Sequence, residues 1–383
     1  MKIAVNTRLL IKDKLEGIGW FTFENFKRIV TAHPEHEFYF LFDRQYSDEF
    51  IFADNVHPVI VHPPTRHPLL WMTWFEYFLP RALKKIKPDL FVSPDGYLSL
   101  KTDVPQLAVI HDINFVHRPK DLPLSSKIYY QYYFPLFAQK AKRIVTVSCF
   151  SRDDICASYN IDSSKIDVVC NGANMAYKPL TAEEIKATKK KYSSGSDYFL
   201  FIGALHPRKN VSGLLNAFDK FVRHYHTDHK VVIVGEKMFL TAELDQTYNQ
   251  MRYGDDVLFT GRLSTDELRD VLGAATALVF VPFFEGFGIP IVEAMYADVP
   301  VICSNTTSLP EVAGDAALYV NPDDTDEIAA AMHKISTDEP FRQELIAKGR
   351  EQRKKFSWDL SAKLLWESIE KCLRSISANN TND

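Results

Sequence analysis

Short apolar runs rich in Val, Ile, Leu and Phe recur along the chain. They alternate with longer stretches whose apolar residues return every three or four positions. The runs predict strands at Lys2 to Val5, Glu37 to Phe42, Val56 to Val61, Leu90 to Ser93, Leu107 to Ile110, Arg143 to Val147 and Ile166 to Cys170. A second series follows at Tyr198 to Ile202, Lys230 to Val234, Val257 to Phe259, Ala277 to Val281 and Val299 to Ser304. Helical spacing predicts helices opening at Gly17-Ile18-Gly19, across Pro68 to Lys87, across Tyr129 to Phe137, from Val211, at Leu268 to Gly273, at Ile289 to Ala297, at Glu327 to Ile335 and at Trp358 to Ile376. Apolar strands alternating with amphipathic helices describe an α/β chain with parallel sheets buried on both faces. The polar stretch 173–196, with Lys189 to Lys191 and Ser193-Ser194-Gly195, reads as a linker. It separates a first domain, 1–172, from a second, 197–356, and 357–378 is a terminal helix.

Length supports this division, because 383 residues exceed what one core holds. A hydrophobic content of 46% and a charged content of 25% are ordinary for a soluble protein. A net charge of −4 argues against nucleic acid as a partner, since neutralising phosphates needs a basic face. The five cysteines, Cys149, Cys156, Cys170, Cys303 and Cys372, form no C-x-x-C pair and suit a reducing compartment. The N-terminus reads as a strand rather than a signal peptide, and no apolar run approaches a membrane span. A cytoplasmic protein is expected, with peripheral contact on a membrane left open. The aromatic and basic segment 68–87 could lie on an anionic membrane. The spacing of Trp71, Trp74, Phe75 and Phe78 favours one packed stripe with the basic end exposed.

The chemistry gathers at Ala277 to Pro300, a strand, a glycine loop and a helix with Pro290 in its first turn. In an open α/β sheet such a junction lies in the crevice beyond the carboxyl ends of the strands, where ligands bind. Free amides of a helix N-terminus there favour an anion such as a diphosphate. Glu285 and Glu293 frame the loop and helix, and acceptor-only groups suit the hydroxyls of a sugar and a ribose. Taken singly, Glu293 would merely complement the helix dipole and Glu285 would be a solvated loop charge.

Other strand ends add to the set. Gly17 and Gly19 let a backbone come close to a ligand. His111 and Asp112 end the strand at Ile110, and Asp112 is placed to orient the imidazole. Arg208 and Lys209 precede a helix N-terminus, where a planar fork and a point charge make a diphosphate clamp. Thr307 and Ser308 occupy a further loop after a strand. Asp324-Thr325-Asp326 spells Asp-x-Asp but opens a helical run, so N-capping explains it and no metal is expected.

The pair Glu285 and Glu293 around Gly286-Phe287-Gly288-Ile289-Pro290 resembles the signature of the retaining glycosyltransferases of family 4. The resemblance extends through Val109-Ile110-His111-Asp112 and Pro207-Arg208-Lys209-Asn210. It implies the GT-B fold, in which two Rossmann-like domains face across a cleft and a C-terminal helix crosses back to the first. It further implies that Arg208 and Lys209 hold the leaving diphosphate of a nucleotide-sugar donor, and that His111 touches the donor sugar. Glu285 and Glu293 would bind hydroxyls, Gly17 and Gly19 would face the diphosphate or the acceptor, and Thr307 and Ser308 would close over phosphates or ribose. Transfer of a hexose, with mannose from GDP-mannose expected ahead of a UDP-sugar, would go to a glycan or lipid-linked acceptor in surface polysaccharide assembly, without cofactor. A nucleotide-sugar epimerase and a non-catalytic nucleotide-sugar-binding module remain as alternatives.

Overall fold

Parallel pairing of the buried apolar runs builds two sheets, one in each of two compact units. The computed structural model describes residues 1–65, 67–174, 176–236 and 242–380, with side chains described to 375. The first unit is Met1–Gly172 together with the chain from Ser357, and the second is Ala173–Phe356.

The first unit opens with β1 (Lys2–Asn6), α1 (Gly17–Ala32), β2 (Glu37–Phe42) and β3 (Val56–Ile60). Helices α2 (Pro68–Thr73) and α3 (Leu79–Ile86) join through a π-type turn, Trp74–Phe78. Then come β4 (Leu90–Ser93), β5 (Gln106–Val109), α4 (Asn114–His117), α5 (Leu124–Lys140), β6 (Arg143–Thr146), α6 (Cys149–Tyr159) and β7 (Ile166–Val168). The strands lie in the order β3-β2-β1-β4-β5-β6-β7, with Ala4 opposite Tyr39 on one side and Phe91 on the other. The order reverses at β1 and β4, which makes the crevice beyond their carboxyl ends a ligand position.

The second unit holds α7 (Ala182–Ser193), β8 (Tyr198–Ile202), α8 (Val211–Tyr225), β9 (Lys230–Val234) and α9 (Ala242–Gln250). It continues with β10 (Val257–Gly261), α10 (Thr265–Gly273), β11 (Ala277–Phe280), α11 (Ile289–Tyr296), β12 (Val301–Ser304), α12 (Leu309–Ala313), β13 (Ala317–Val320), α13 (Thr325–Thr337) and α14 (Glu339–Gln352). Its strand order is β10-β9-β8-β11-β12-β13, so the reversal falls between β8 and β11. The last helix, α15 (Trp358–Asn380), belongs to the first unit. It packs along α1. Its anchors are Arg28 to Asp359 at 2.6 Å, Lys371 to Asp167 at 2.9 Å, and Trp366 stacked on His33 at 3.7 Å. Gly172 must be glycine, because a Cβ there would lie 2.4 Å from the Trp358 nitrogen.

The structure departs from the sequence expectations in several places. The stretch 173–196, expected as a linker, contains α7, which has a capping box from Thr181 and Glu184 and packs on α10 inside the second unit. Helix α5 starts at Leu124, five residues before the expected Tyr129. Ser148 caps α6, its hydroxyl accepting the Ser151 amide at 3.0 Å. The strand β13 and the helices α9 and α14 are additional. Trp74 and Phe75 are fully buried, whereas Tyr77 stands exposed. No described helix is long and apolar enough to cross a membrane.

Candidate active site

The reversal of strand order in the second unit brings two loops together, one from the end of β8 and one from the end of β11. Backbone and side-chain bonds tie them. The Phe283 amide donates to the Arg208 carbonyl at 2.9 Å, and the Arg208 guanidinium donates to the Phe284 carbonyl at 3.1 Å. Asn210 takes a left-handed φ of 56° and donates its amide to the carbonyls of Val281 at 3.0 Å and Pro322 at 2.7 Å. Asn tolerates that conformation better than most residues, so one residue both turns the chain into α8 and locks the loops.

Arg208 and Lys209 converge on the buried carboxylate of Glu285, which pairs with both. The Lys209 ammonium also lies 5.0 Å over the Phe280 ring. Burial alone would push the Glu285 carboxyl up, but the charges of Arg208 and Lys209 and the hydrogen bonds to both outweigh it and hold it below its ordinary range. Among the described residues two cations gather on this one carboxylate, an arrangement that suits an anion. The arrangement adds a role to Glu285 beyond the acceptor for sugar hydroxyls expected of it, because its Oε1 receives both cations of the clamp.

Helix α11 begins beside this cluster. Gly288 caps it at φ 100°, and a Cβ there would meet Leu309 at 2.8 Å, so no other residue fits without strain. Gly286, Phe287 and Ile289 complete the turn, with Phe287 buried and edge-on to Phe356 at 5.5 Å. Ser308 is fully buried and donates to the carbonyls of Glu285 at 2.9 Å and Phe287 at 3.2 Å. It is therefore a brace for the loop, not the ligand-facing group expected. Thr307 has a left-handed φ of 58° and donates to the Thr306 carbonyl at 2.7 Å. Glu293, on the next turn of α11, is partly exposed; burial raises its carboxyl to about 7 despite a hydrogen bond from the Tyr177 hydroxyl.

In the first unit His111 follows β5. Its Nε2 lies 2.8 Å from the Pro94 carbonyl. A carbonyl only accepts, so Nε2 carries the proton and Nδ1 is left as an acceptor. Its ring meets Phe21 edge-on at 5.0 Å, and burial lowers its pKa against the raising effects of the Pro94 bond and of Asp112 and Asp95. Asp112 does not orient the ring as expected: its Oδ1 accepts the Asn114 amide at 2.9 Å and the Asn114 side chain at 2.6 Å, an Asx turn opening α4. Open space stands over Gly17, whereas a Cβ on Gly19 would press on the Leu9 carbonyl at 3.1 Å, so Gly19 serves chain packing rather than ligand approach.

Three groups escaped the sequence reading. Arg8 and Asp95, both buried, pair at 2.6 Å, and Asn6 donates to Asp95 at 2.8 Å, which fixes the turn whose Pro94 carbonyl holds His111. Tyr177 is the third, reaching Glu293 from far along the chain. Arg8 and Tyr177 sit in loops without periodicity, and only their pairing across the fold marks them.

Asp324 caps α13, accepting the amides of Asp326 at 2.9 Å and Glu327 at 3.0 Å, and Asp326 pairs with Lys220 at 2.8 Å. Among the described residues, one set could gather a metal ion: His33, Glu35 and His36, with ligand atoms within 4.8 Å of one another. It lies after α1 beside Trp366 and includes none of the candidate site residues.

Comparison with known proteins matches residues 183–352 to the glycosyl transferases group 1 model and residues 29–177 to the glycosyltransferase family 4 model. The chain is 30% identical to O-antigen chain mannosyltransferase B of Escherichia coli, over 94% of this chain and 97% of that protein. It is likewise 30% identical to the O-antigen chain mannosyltransferase RfbU of Salmonella typhimurium, over 70% and 71%. Among solved structures, sucrose-phosphate synthase from Thermosynechococcus elongatus superposes with a TM-score of 0.78 at 15% identity, over 98% of this chain and 99% of that one. HepE of Anabaena in complex with UDP and glucose superposes with a TM-score of 0.76 at 15% identity, over 97% and 99%.

Proposed function

The chain belongs to the family 4 glycosyltransferases of GT-B fold and is a hexosyltransferase, and from that premise we propose that it transfers mannose from GDP-mannose, with retention and without a metal, in the assembly of a surface polysaccharide. The observation that carries this reading is the convergence of Arg208, Lys209 and Glu285 at the start of α11, where the strand order of the second sheet reverses. Charge develops on the departing diphosphate as its bond to the anomeric carbon breaks. Preorganised cations and helix amides stabilise that charge, as a divalent ion does elsewhere. The acceptor oxygen bonds to the anomeric carbon on the face the diphosphate leaves, and its proton passes to the leaving phosphate oxygen. A double displacement would need a carboxylate nucleophile on the opposite face of the sugar, whereas Glu285 lies in the diphosphate clamp, its Oε1 paired with Arg208 and Lys209. Glu293 binds ribose hydroxyls; in the first unit, His111 presents Nδ1 as an acceptor for a sugar hydroxyl.

The mannose assignment takes support from the names of the O-antigen relatives, and the GDP assignment rests on the family resemblance of the sequence; the UDP held by HepE keeps a UDP-sugar as the second donor to try. The acceptor is a glycan or a lipid-linked glycan, and the latter would bring the enzyme to a membrane surface. The test is incubation with GDP-mannose or UDP-sugars in EDTA, with mannose-terminated acceptors, followed by mass spectrometry and NMR of the product. An α-linked mannoside is expected. A β-linked product, or isomerised donor formed without acceptor, would replace the proposal by inversion or epimerisation.

A further inference from the structure

The aromatic helices of the first unit pack on one side only. Of the large hydrophobic side chains that stand exposed among the described residues, Leu69, Tyr77, Leu124, Ile128 and Tyr132 all fall on α2, the π-type turn and α5. Leu124, Ile128 and Tyr132 are spaced four apart and form one stripe along the outside of α5. Tyr129, Phe134 and Phe137 of the same helix fill the core. A helix apolar on both faces is ordinarily covered on both. The two segments are neighbours, since Trp71 of α2 stacks on Tyr130 of α5 at 5.7 Å. Between them runs an open groove of about 360 Å³, bordered by Met72, Glu76, Tyr77, Lys101, Tyr132 and Tyr133.

Charge distinguishes what would cover this face. Residues 68–87 and 124–140 carry Arg81, Lys84, Lys85, Lys87, Lys127 and Lys140 against the single carboxylate Glu76, on a chain whose net charge is −4. Glu76 is turned to the protein, accepting the Leu100 amide at 2.9 Å. The Arg81 guanidinium lies 3.2 Å over the Tyr77 ring, so cation and exposed aromatic occupy one spot. Two copies meeting through this face would oppose these cations. A bilayer with anionic headgroups would take both the apolar stripe and the charge.

We propose that the face formed by α2, the π-type turn, α3 and α5 docks on an anionic lipid bilayer, with Leu69, Tyr77, Leu124, Ile128 and Tyr132 entering the interface and the surrounding cations meeting phosphates. This deepens the reading of a lipid-linked acceptor, which would be presented at the same surface. Aromatic side chains with polar tips suit that boundary.

The test is sedimentation with vesicles of phosphatidylcholine alone or with about 30% phosphatidylglycerol, without donor or acceptor, so that its outcome does not depend on turnover. The wild-type chain is expected to bind the anionic vesicles at least about tenfold more strongly, and to lose about tenfold between about 0.1 M and about 0.5 M NaCl. The pair Leu124→Ser and Ile128→Ser should lower partitioning by about tenfold or more, with unchanged melting temperature and unchanged transfer to a soluble acceptor. Wild-type protein that stays in the supernatant with every vesicle, or a double variant that binds as well as wild type, overturns the proposal. So does a wild-type dimer in ultracentrifugation that the double variant abolishes, which would assign the face to a second copy.

Discussion

Glu293 should make the stability of this protein fall as pH rises through neutrality. Its carboxyl is raised from an ordinary 4.5 to about 7 by burial, in spite of the Tyr177 hydroxyl. Between these values the unfolded chain has lost the proton that the folded chain still holds, so deprotonation favours unfolding. The stabilising difference is complete below about 4.5 and gone above about 7. At about 1.4 kcal/mol per unit the shift corresponds to about 3 kcal/mol, and water at the partly exposed carboxyl reduces this to about 1–2 kcal/mol. Glu293→Gln keeps an acceptor for Tyr177 and removes the charge. Denaturant unfolding at pH 5 and pH 8.5 should show the variant gaining about 1–2 kcal/mol on wild type between the two. A gap that is the same at both pH values refutes the raised carboxyl. If ribose hydroxyls donate to Glu293, bound nucleotide favours its ionised form, so calorimetry in buffers of different ionisation enthalpy should register proton release on binding near pH 7.

Three other substitutions probe the rest of the site. Lys209→Ala should lower kcat by about 10²-fold or more through loss of a preorganised charge, and near-normal turnover would remove Lys209 from the mechanism. Asp324→Ala should cost about 1 kcal/mol of stability as a lost cap and leave transfer in EDTA unchanged; a rate that collapses and returns with Mg²⁺ would make the Asp-x-Asp a metal site. Gly288→Ala should destabilise by about 1–3 kcal/mol, since it forces a left-handed residue against Leu309, and an unchanged melting temperature would contradict the described cap.

Much of this architecture is legible in the order of residues because the strands are nearly continuous apolar runs. Tyr198 to Ile202 and Ala277 to Phe280 are buried throughout, so their ends, and the loops bearing Arg208 and Glu285, could be placed. Asp324 carries its capping role in the residues that follow it. Helix α7 was hidden because its 12 residues include four lysines and two glutamates around a thin apolar stripe, which reads as solvated chain. Pairings across the fold were less accessible. Nothing near Tyr177 points to Glu293, and nothing near Arg8 points to Asp95, because sheet order brings those side chains together. Ser308 and Asp112 illustrate the converse: polar residues at strand ends look like ligand groups, yet their bonds go to neighbouring backbone, where a buried carbonyl or a free amide needs a partner.

Whether Arg208 and Lys209 hold a nucleoside diphosphate is tested most directly by thermal-shift titration in EDTA with GDP, UDP, ADP and dTDP, on wild type and on the double variant Arg208→Ala, Lys209→Ala. A nucleotide at about 100 times its Kd should stabilise wild type by about 2.7 kcal/mol, with GDP giving the largest shift and the double variant losing it. If no nucleotide moves the wild-type melting temperature, or if the double variant responds as wild type does, the cluster at the start of α11 is not a diphosphate site.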